Sequence, residues 1–271
     1  MTDAAGPLLF ARYAYPPNSL GLCGADVQRT LLEYGHEGAS DGGLAELART
    51  FDGAWPYLTL IAHANGIGDP LDARVVEAYW VGNELLERVR PQELARHVDE
   101  RFRGRIGRAR EHIVDAVAAG AVPHHCFHVF AVYPWLGLLR TGVVDQPLRI
   151  LDQCRITPGV VESVDGEAAK VRARPLLWDG WELALGEPEP RDARWRDDGL
   201  AFVPDLQPGD RVSMHWDFVC DHLSPRAERS LEQATRRALR VVNGTAAIPP
   251  VLASVADAAV EPPSPWRAPR R

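Results

Sequence analysis

Apolar residues recur every three or four positions along the first half of the chain, and from about Leu148 they alternate or gather in short runs. The two periods predict helices followed by strands. Ala25 to Tyr34 puts Val27, Leu31 and Leu32 on one face and stops at Gly35, a natural C-terminal glycine. After the Ser40-Asp41-Gly42-Gly43 turn, Leu44, Leu47, Ala48 and Phe51 repeat at helical spacing, and the pattern resumes from Trp55 to Ala64. Asp72 is placed to cap a helix carrying Val75, Val76 and Tyr79, and Pro91 suits the first turn of another from Gln92 to Phe102. A further helix is predicted from about Ile106 to Ala119. The Asn18-to-Gly24 segment, with Tyr13 and Tyr15 before it, reads as an ordered loop whose functional reading is a pocket wall.

In the second half, Leu148, Ile150, Val160, Val161, Val164, Val171, Leu176, Leu183, Leu185, Phe202, Val203, Val212 and Met214 fall in short runs. Between those runs stand the turn dipeptides Asp165-Gly166, Asp179-Gly180, Asp198-Gly199 and Pro208-Gly209. Many short strands with close turns predict a small barrel. Ser224-Pro225 then opens a helix to about Val242, with serine as cap and Leu231, Thr235, Ala238 and Leu239 facing inward. The proline- and alanine-rich stretch after Gly244 reads as a flexible extension or a partner-binding arm. The expected organisation is α+β: a helical domain over 1–147, a barrel with its helix over 148–243, and a tail over 244–271.

With 271 residues, 46% of them hydrophobic, the chain is long enough for two domains with cores of their own. Its net charge of −7, with basic residues scattered among acids, excludes the electrostatic footprint of a nucleic-acid or anionic-membrane binder. Cys23, Cys126, Cys154 and Cys220 are far apart and form no CxxC pair, so spacing indicates neither a disulfide framework nor a zinc ribbon, and a reducing compartment fits. No stretch approaches the roughly 18 to 20 apolar residues that cross a bilayer, so a cytoplasmic location is expected.

Two clusters carry candidate chemistry. In Pro123-His124-His125-Cys126-Phe127-His128, a strand would align His124, Cys126 and His128, whereas a helix would pair His124 or His125 with His128. Imidazole and thiolate suit zinc, nickel or iron, and imidazolium can steady a departing anion or pass a proton. The competing reading is histidines packed at a domain junction with their nitrogens bonded to backbone. The second cluster is Cys154, at the start of the first strand, with His215 at the end of a later one and Arg155 as its neighbour. A buried thiol is inert unless a positive neighbour lowers its pKa. Trp178-Asp179 and Trp216-Asp217 read as loop anchors, with Asp217 the best acid candidate and Glu182 the next.

Across about Leu151 to Leu239, three motifs stand in order: Cys-x-x-x-Pro-Gly-x-Val (Cys154 to Val161), Val-Asp-Gly-x-x-Ala-Lys-Val (Val164 to Val171) and Pro-Gly-Asp-x-Val-x-x-His (Pro208 to His215). With the acidic helix that follows, this segment resembles the small assembly chaperone of nickel-iron hydrogenases. The resemblance implies a small OB-like five-stranded barrel followed by a helix. It also implies that Cys154 and His215 stand where that family helps hold iron, carrying cyanide and carbon monoxide, for delivery to the hydrogenase large subunit. Here the cysteine is internal, behind Leu151-Asp152-Gln153, the loop from Leu176 to Gly199 is enlarged, and Asp217 replaces the family's usual glycine. The whole chain also resembles an uncharacterised actinobacterial family associated with hydrogenase gene neighbourhoods and with clusters for aziridine-bearing natural products.

Three functions follow as expectations. The first is a hydrogenase-maturation-like subunit that acts in a complex with a second protein, for which a hydrogenase-maturation-peptidase-like partner is the expectation, and holds iron, nickel or zinc through Cys154, His215 and Cys126. The second is a biosynthetic enzyme subunit that binds a small-molecule substrate and closes an aziridine ring by displacing an anion such as sulfate, with His124, His125, His128 and Asp217 as the catalytic set and no metal required. The third is a non-catalytic binding module.

Overall fold

The computed structural model describes residues 5–38, 40–106 and 110–245, and the tail from residue 246 onward lies outside them. The fold is α+β. Among the described residues, ten α-helices come first: α1 (Ala5–Ser19), α2 (Gln28–Glu37), α3 (Gly42–Arg49), α4 (Trp55–Ala64), α5 (Ala73–Trp80), α6 (Pro91–Ile106), α7 (Arg110–Ala118), α8 (His125–Phe127), α9 (Trp135–Arg140) and α10 (Asp145–Cys154). Nine short strands follow: β1 (Thr157–Asp165), β2 (Ala168–Ala173), β3 (Leu176–Trp178), β4 (Leu183–Leu185), β5 (Glu189–Arg194), β6 (Arg196–Asp197), β7 (Leu200–Ala201), β8 (Arg211–His215) and β9 (Phe218–His222). The last element is α11 (Pro225–Gly244).

Local chemistry explains the helix ends. Asp41 accepts from the Gly43 and Leu44 amides, Asp72 from Arg74 and Ser224 from Ala227, each side chain taking a donor that the first helical turn leaves unpaired. Before Ala25 the sequence predicts no helix, so α1 is an addition. Its apolar residues Phe10, Tyr13 and Ala14 are buried, and Pro16 and Pro17 stand in its last turn, where each leaves a carbonyl one turn back without its usual amide donor.

Five strands bond in the order β1-β2-β5-β9-β8, and β8 returns to β1 so that the sheet closes. Four junctions are antiparallel, and the β5–β9 junction is parallel at Arg194 and Phe218. Alternation fills the interior: Ala169, Val171 and Ala173 of β2 point inward while Lys170 and Arg172 point out. Val161, Ala193, Trp195, Val203, Val212, Met214 and Val219 complete that interior, where small alanines let a five-stranded ring close around one tryptophan.

A second, larger core joins the helices to the outside of this sheet through Leu176, Leu183, Phe202, Phe218, Cys220, Leu231 and Leu239. The helix α10 crosses the expected boundary at 147/148 and runs directly to within three residues of β1. The α11 helix packs on α8 as well as on β1, β4 and β8, and Asn243 bonds both the amide and the carbonyl of Leu183 in β4, at 3.1 and 2.9 Å. Among the described residues, no helix is long and apolar enough to cross a membrane. Leu231, fully buried in the larger core that joins α11 and the helices to the sheet, tests their coupling. Leu231→Ala is expected to lower stability by about 2–5 kcal/mol in a single urea transition followed by both far-UV circular dichroism and tryptophan fluorescence.

Candidate functional site

Between the helical region and the closed sheet lies a cavity of about 430 Å3, lined among others by Cys23, Tyr79, Trp80, His125, His128, Tyr133, Cys154, His215 and Trp216. None of its lining residues is a carboxylate, lysine or arginine. That size lies within the range that holds small-molecule ligands.

The histidine run enters as a single helical turn. His124 is the N-cap of α8, its Nδ1 accepting from the Cys126 amide at 3.0 Å. The chain then continues as one π turn over His128–Val132, closed by the Tyr133 amide on the His128 carbonyl at 3.1 Å. This phase puts His125 and His128 on the cavity side. His124 instead faces Ala234, Ala238 and Val241 of α11. Cys126, expected as a metal ligand, is not in the group of donors that converges at the cavity: its Sγ lies 3.6 Å from Thr235 Oγ1, because the helical turn sends it toward α11. Burial pushes its thiol up to about 11.

His125, Cys154 and His215 come together, each offering one ligand atom, with those atoms within 4.8 Å of one another. Backbone carbonyls set both tautomers, because a carbonyl only accepts and its partner nitrogen must carry the proton. His125 Nε2 donates to the Cys154 carbonyl at 2.8 Å, which leaves Nδ1 as a lone pair 3.2 Å from the Tyr79 hydroxyl. His215 Nδ1 donates to the Tyr13 carbonyl at 2.7 Å, and its Nε2 is buried near the Cys154 carbonyl without a well-aligned partner. Pro17 is the reason that Tyr13 carbonyl is available: it sits four residues on, where an ordinary residue would donate its amide back. Orientation of a ligating imidazole by a carbonyl on its other nitrogen is the usual arrangement around a bound metal.

Burial keeps the site uncharged. It lowers His125 to about 4 and His128 to about 3, and it lowers His215 well below its ordinary value, with repulsion from His125 adding to the effect. His124 falls to about 3 for the same first reason. The Cys154 thiol is held well up by burial and by the neighbouring Cys23, with the Trp216 indole acting the other way. Arg155, expected as a possible activator, turns instead to Asp152 at 2.9 Å and to the Arg174 carbonyl.

Asp217 is not among the cavity-lining residues. It accepts from Gln153 at 2.6 Å and from Arg191 at 2.9 Å, and Arg191 also holds Asp152 at 2.9 Å. Trp216 and Asp217 form the two-residue turn between β8 and β9 with φ of 50° and 55°. This left-handed pair matches the twist of a tight hairpin, and glycine or asparagine is the residue that adopts it without cost. The turn persists because the Trp216 amide donates to the Gln153 carbonyl and the Arg194 amide to the Asp217 carbonyl, both at 2.8 Å. It sets the Trp216 ring against the cavity. Glu182 is likewise absent from the cavity wall, its amide bonded to Asp179 on the β3–β4 hairpin.

Tyr79, Trp80 and Tyr133 join the site without any local sequence signal. Tyr79 donates to the Gly53 carbonyl at 2.9 Å and stacks on Tyr57, whose own hydroxyl lies 3.1 Å from His128 Nδ1. The wall formed by Gly21, Leu22 and Cys23 is the segment that reads as an ordered loop or pocket wall.

Residues 2–248 match the model of a family described as "Family of unknown function (DUF6390)". The chain belongs to that family. No curated protein and no solved structure matches it.

Two outcomes test the site's electrostatics. The four buried histidines, His124, His125, His128 and His215, have folded values below the unfolded one of about 6.5, so the unfolded chain binds more protons as pH falls. Their contribution is intact above about pH 6.5 and declines on acidification from there toward pH 3–4, by up to about 1.4 kcal/mol per histidine per pH unit. Urea unfolding at pH 7 and pH 5.5 should show this loss, with a shallower slope in His125→Gln. In Pro17→Ala, the new amide competes for the Tyr13 carbonyl, so the 15N spectrum of His215 should move from a single Nδ1–H tautomer toward a mixture. An unchanged spectrum would remove the role assigned to Pro17.

Proposed function

We propose that this chain is a metal-handling assembly factor that holds a first-row metal ion as cargo through Cys154, His125 and His215 and passes it to a second protein. The observation that carries this reading is the convergence of those three donors at a cavity, with both imidazoles neutral and fixed by carbonyls. Two of the three, Cys154 and His215, are the residues that the resemblance to the small hydrogenase chaperone singles out, and the closed five-stranded sheet with its following helix suits the OB-like barrel of that comparison. Neutral imidazole and thiolate suit iron, nickel or zinc. The uncharged wall leaves room for small ligands carried on the metal.

In this reading, binding releases the Cys154 proton and no histidine proton, because the imidazoles are already neutral at pH 7. Cys154 lies at the junction of α10 and β1, so cargo would sit between the helical region and the barrel, and the partner would approach the rim formed by residues 21–23.

The cavity also favours a second reading, a biosynthetic subunit that closes an aziridine ring by displacing sulfate or a similar anion. Its volume fits a small substrate, and neutral His125 and His128 are available bases. The cationic donors that such a leaving group needs are not among the lining residues, which places this reading second.

The test is metal content after anaerobic purification of the full chain from cells supplied with iron, nickel and zinc. Wild-type protein is expected to retain up to about one equivalent of metal, with most of it lost in Cys154→Ser and His215→Gln. Equal content in wild type and both variants, or none in wild type, would overturn the reading. Co-purification from the native host identifies the recipient.

A further inference from the structure

We propose that Cys23 is a second thiolate ligand, joining Cys154, His125 and His215 from the rim loop to complete a four-coordinate N2S2 metal site. This rests on the metal-handling reading above. Cys23 lines the same cavity as the other three donors, and it lies between Gly21 and Gly24, both in the left-handed region with φ of 70° and 79°. At Gly24 a Cβ would sit 2.5 Å from the Phe51 ring, so the chain must be glycine there to turn against the cavity floor. The loop is ordered around the thiol: buried Asn18 uses its carboxamide N–H groups on the carbonyls of Cys23 and Ala25, both at 2.6 Å. Cys23 stands outside the group in which the other three donors lie within 4.8 Å of one another, so the Gly21–Gly24 loop must bring its thiol inward across the shared cavity when metal binds.

Charge balance supplies the independent reason. A divalent ion held by one thiolate and two neutral imidazoles keeps one positive charge, and no carboxylate lines the cavity to offset it. An uncompensated charge in a half-open, mainly apolar space is costly. A second thiolate makes the complex neutral, and two sulfurs with two nitrogens form a tetrahedral set that these metals accept. Each thiol gives its proton to solvent as the metal–sulfur bond forms. Cys23 is the more exposed of the two, and burial pushes its thiol up to about 11, so it binds as thiolate only when metal is present.

The experiment is cobalt(II) titration of the full-length, reduced, metal-free protein, reading the near-ultraviolet thiolate-to-cobalt charge-transfer band, whose intensity follows the number of coordinated thiolates. Cys23→Ser is expected to keep a cobalt complex with about half the wild-type intensity and weaker affinity, and the Cys23→Ser/Cys154→Ser double variant to lose the band. Full wild-type intensity and affinity in Cys23→Ser, with loss in Cys154→Ser, would overturn the role of Cys23 and leave the three-donor site standing. A band absent from wild type or unchanged in Cys154→Ser would overturn both. Should Cys23→Ser not fold, alkylation of wild-type protein decides the matter: cobalt must protect Cys23 from iodoacetamide in peptide mass spectra, and unprotected Cys23 rejects the proposal.

Discussion

The hydrogen bond from His215 Nδ1 to the Tyr13 carbonyl joins the two halves of the molecule at one atom. It depends on a helix that ends in proline, since Pro17 has no amide to return to that carbonyl. The same bond fixes a tautomer on the barrel, anchors the end of α1 to β8 and leaves one imidazole nitrogen on the cavity side. Tyr13 reinforces the contact through its hydroxyl, 2.8 Å from Ser213 two residues before His215. A residue in the first helix and a residue in the eighth strand therefore share one geometry.

Burial then decides what the site can be. Its histidines are neutral, its thiols protonated and its walls without formal charge, so in the resting protein it is a set of lone pairs in an apolar setting. An acid–base enzyme near pH 7 needs a group that titrates near 7, whereas a site for a soft cation needs donors that do not compete for protons. The three converging donors satisfy the second requirement better than the first. Asp217, the leading acidic candidate, is engaged with Arg191 and Gln153 in holding a left-handed turn.

Much of the fold was legible where local chemistry and period agree. Trp55–Ala64 appears with the bounds its spacing predicts, Asp72 and Ser224 cap the helices they precede, and the Asp-Gly turns separate real strands. Helix α1 was not legible because the Pro16-Pro17 pair opposes a helix locally, and it is the packing around Phe10 and Tyr13 that holds it. Within the histidine run, a single turn is too short for spacing to fix its phase. Cys126 and His124 consequently went to α11, while His125, one position between them, reached the cavity. The pairing of Cys154 with His215 was available from motif order, whereas Tyr79 and Trp80 enter by tertiary placement alone.

The two bonds from Asn243 to Leu183 have a bearing on how the protein behaves among copies of itself. The short β3–β4 sheet stands apart from the closed ring, and an open strand edge invites pairing with another chain. By occupying both the amide and the carbonyl of one β4 residue, the carboxamide at the end of α11 imitates a neighbouring strand at that position. It thereby makes the last turn of a helix the guard against edge-to-edge polymerisation.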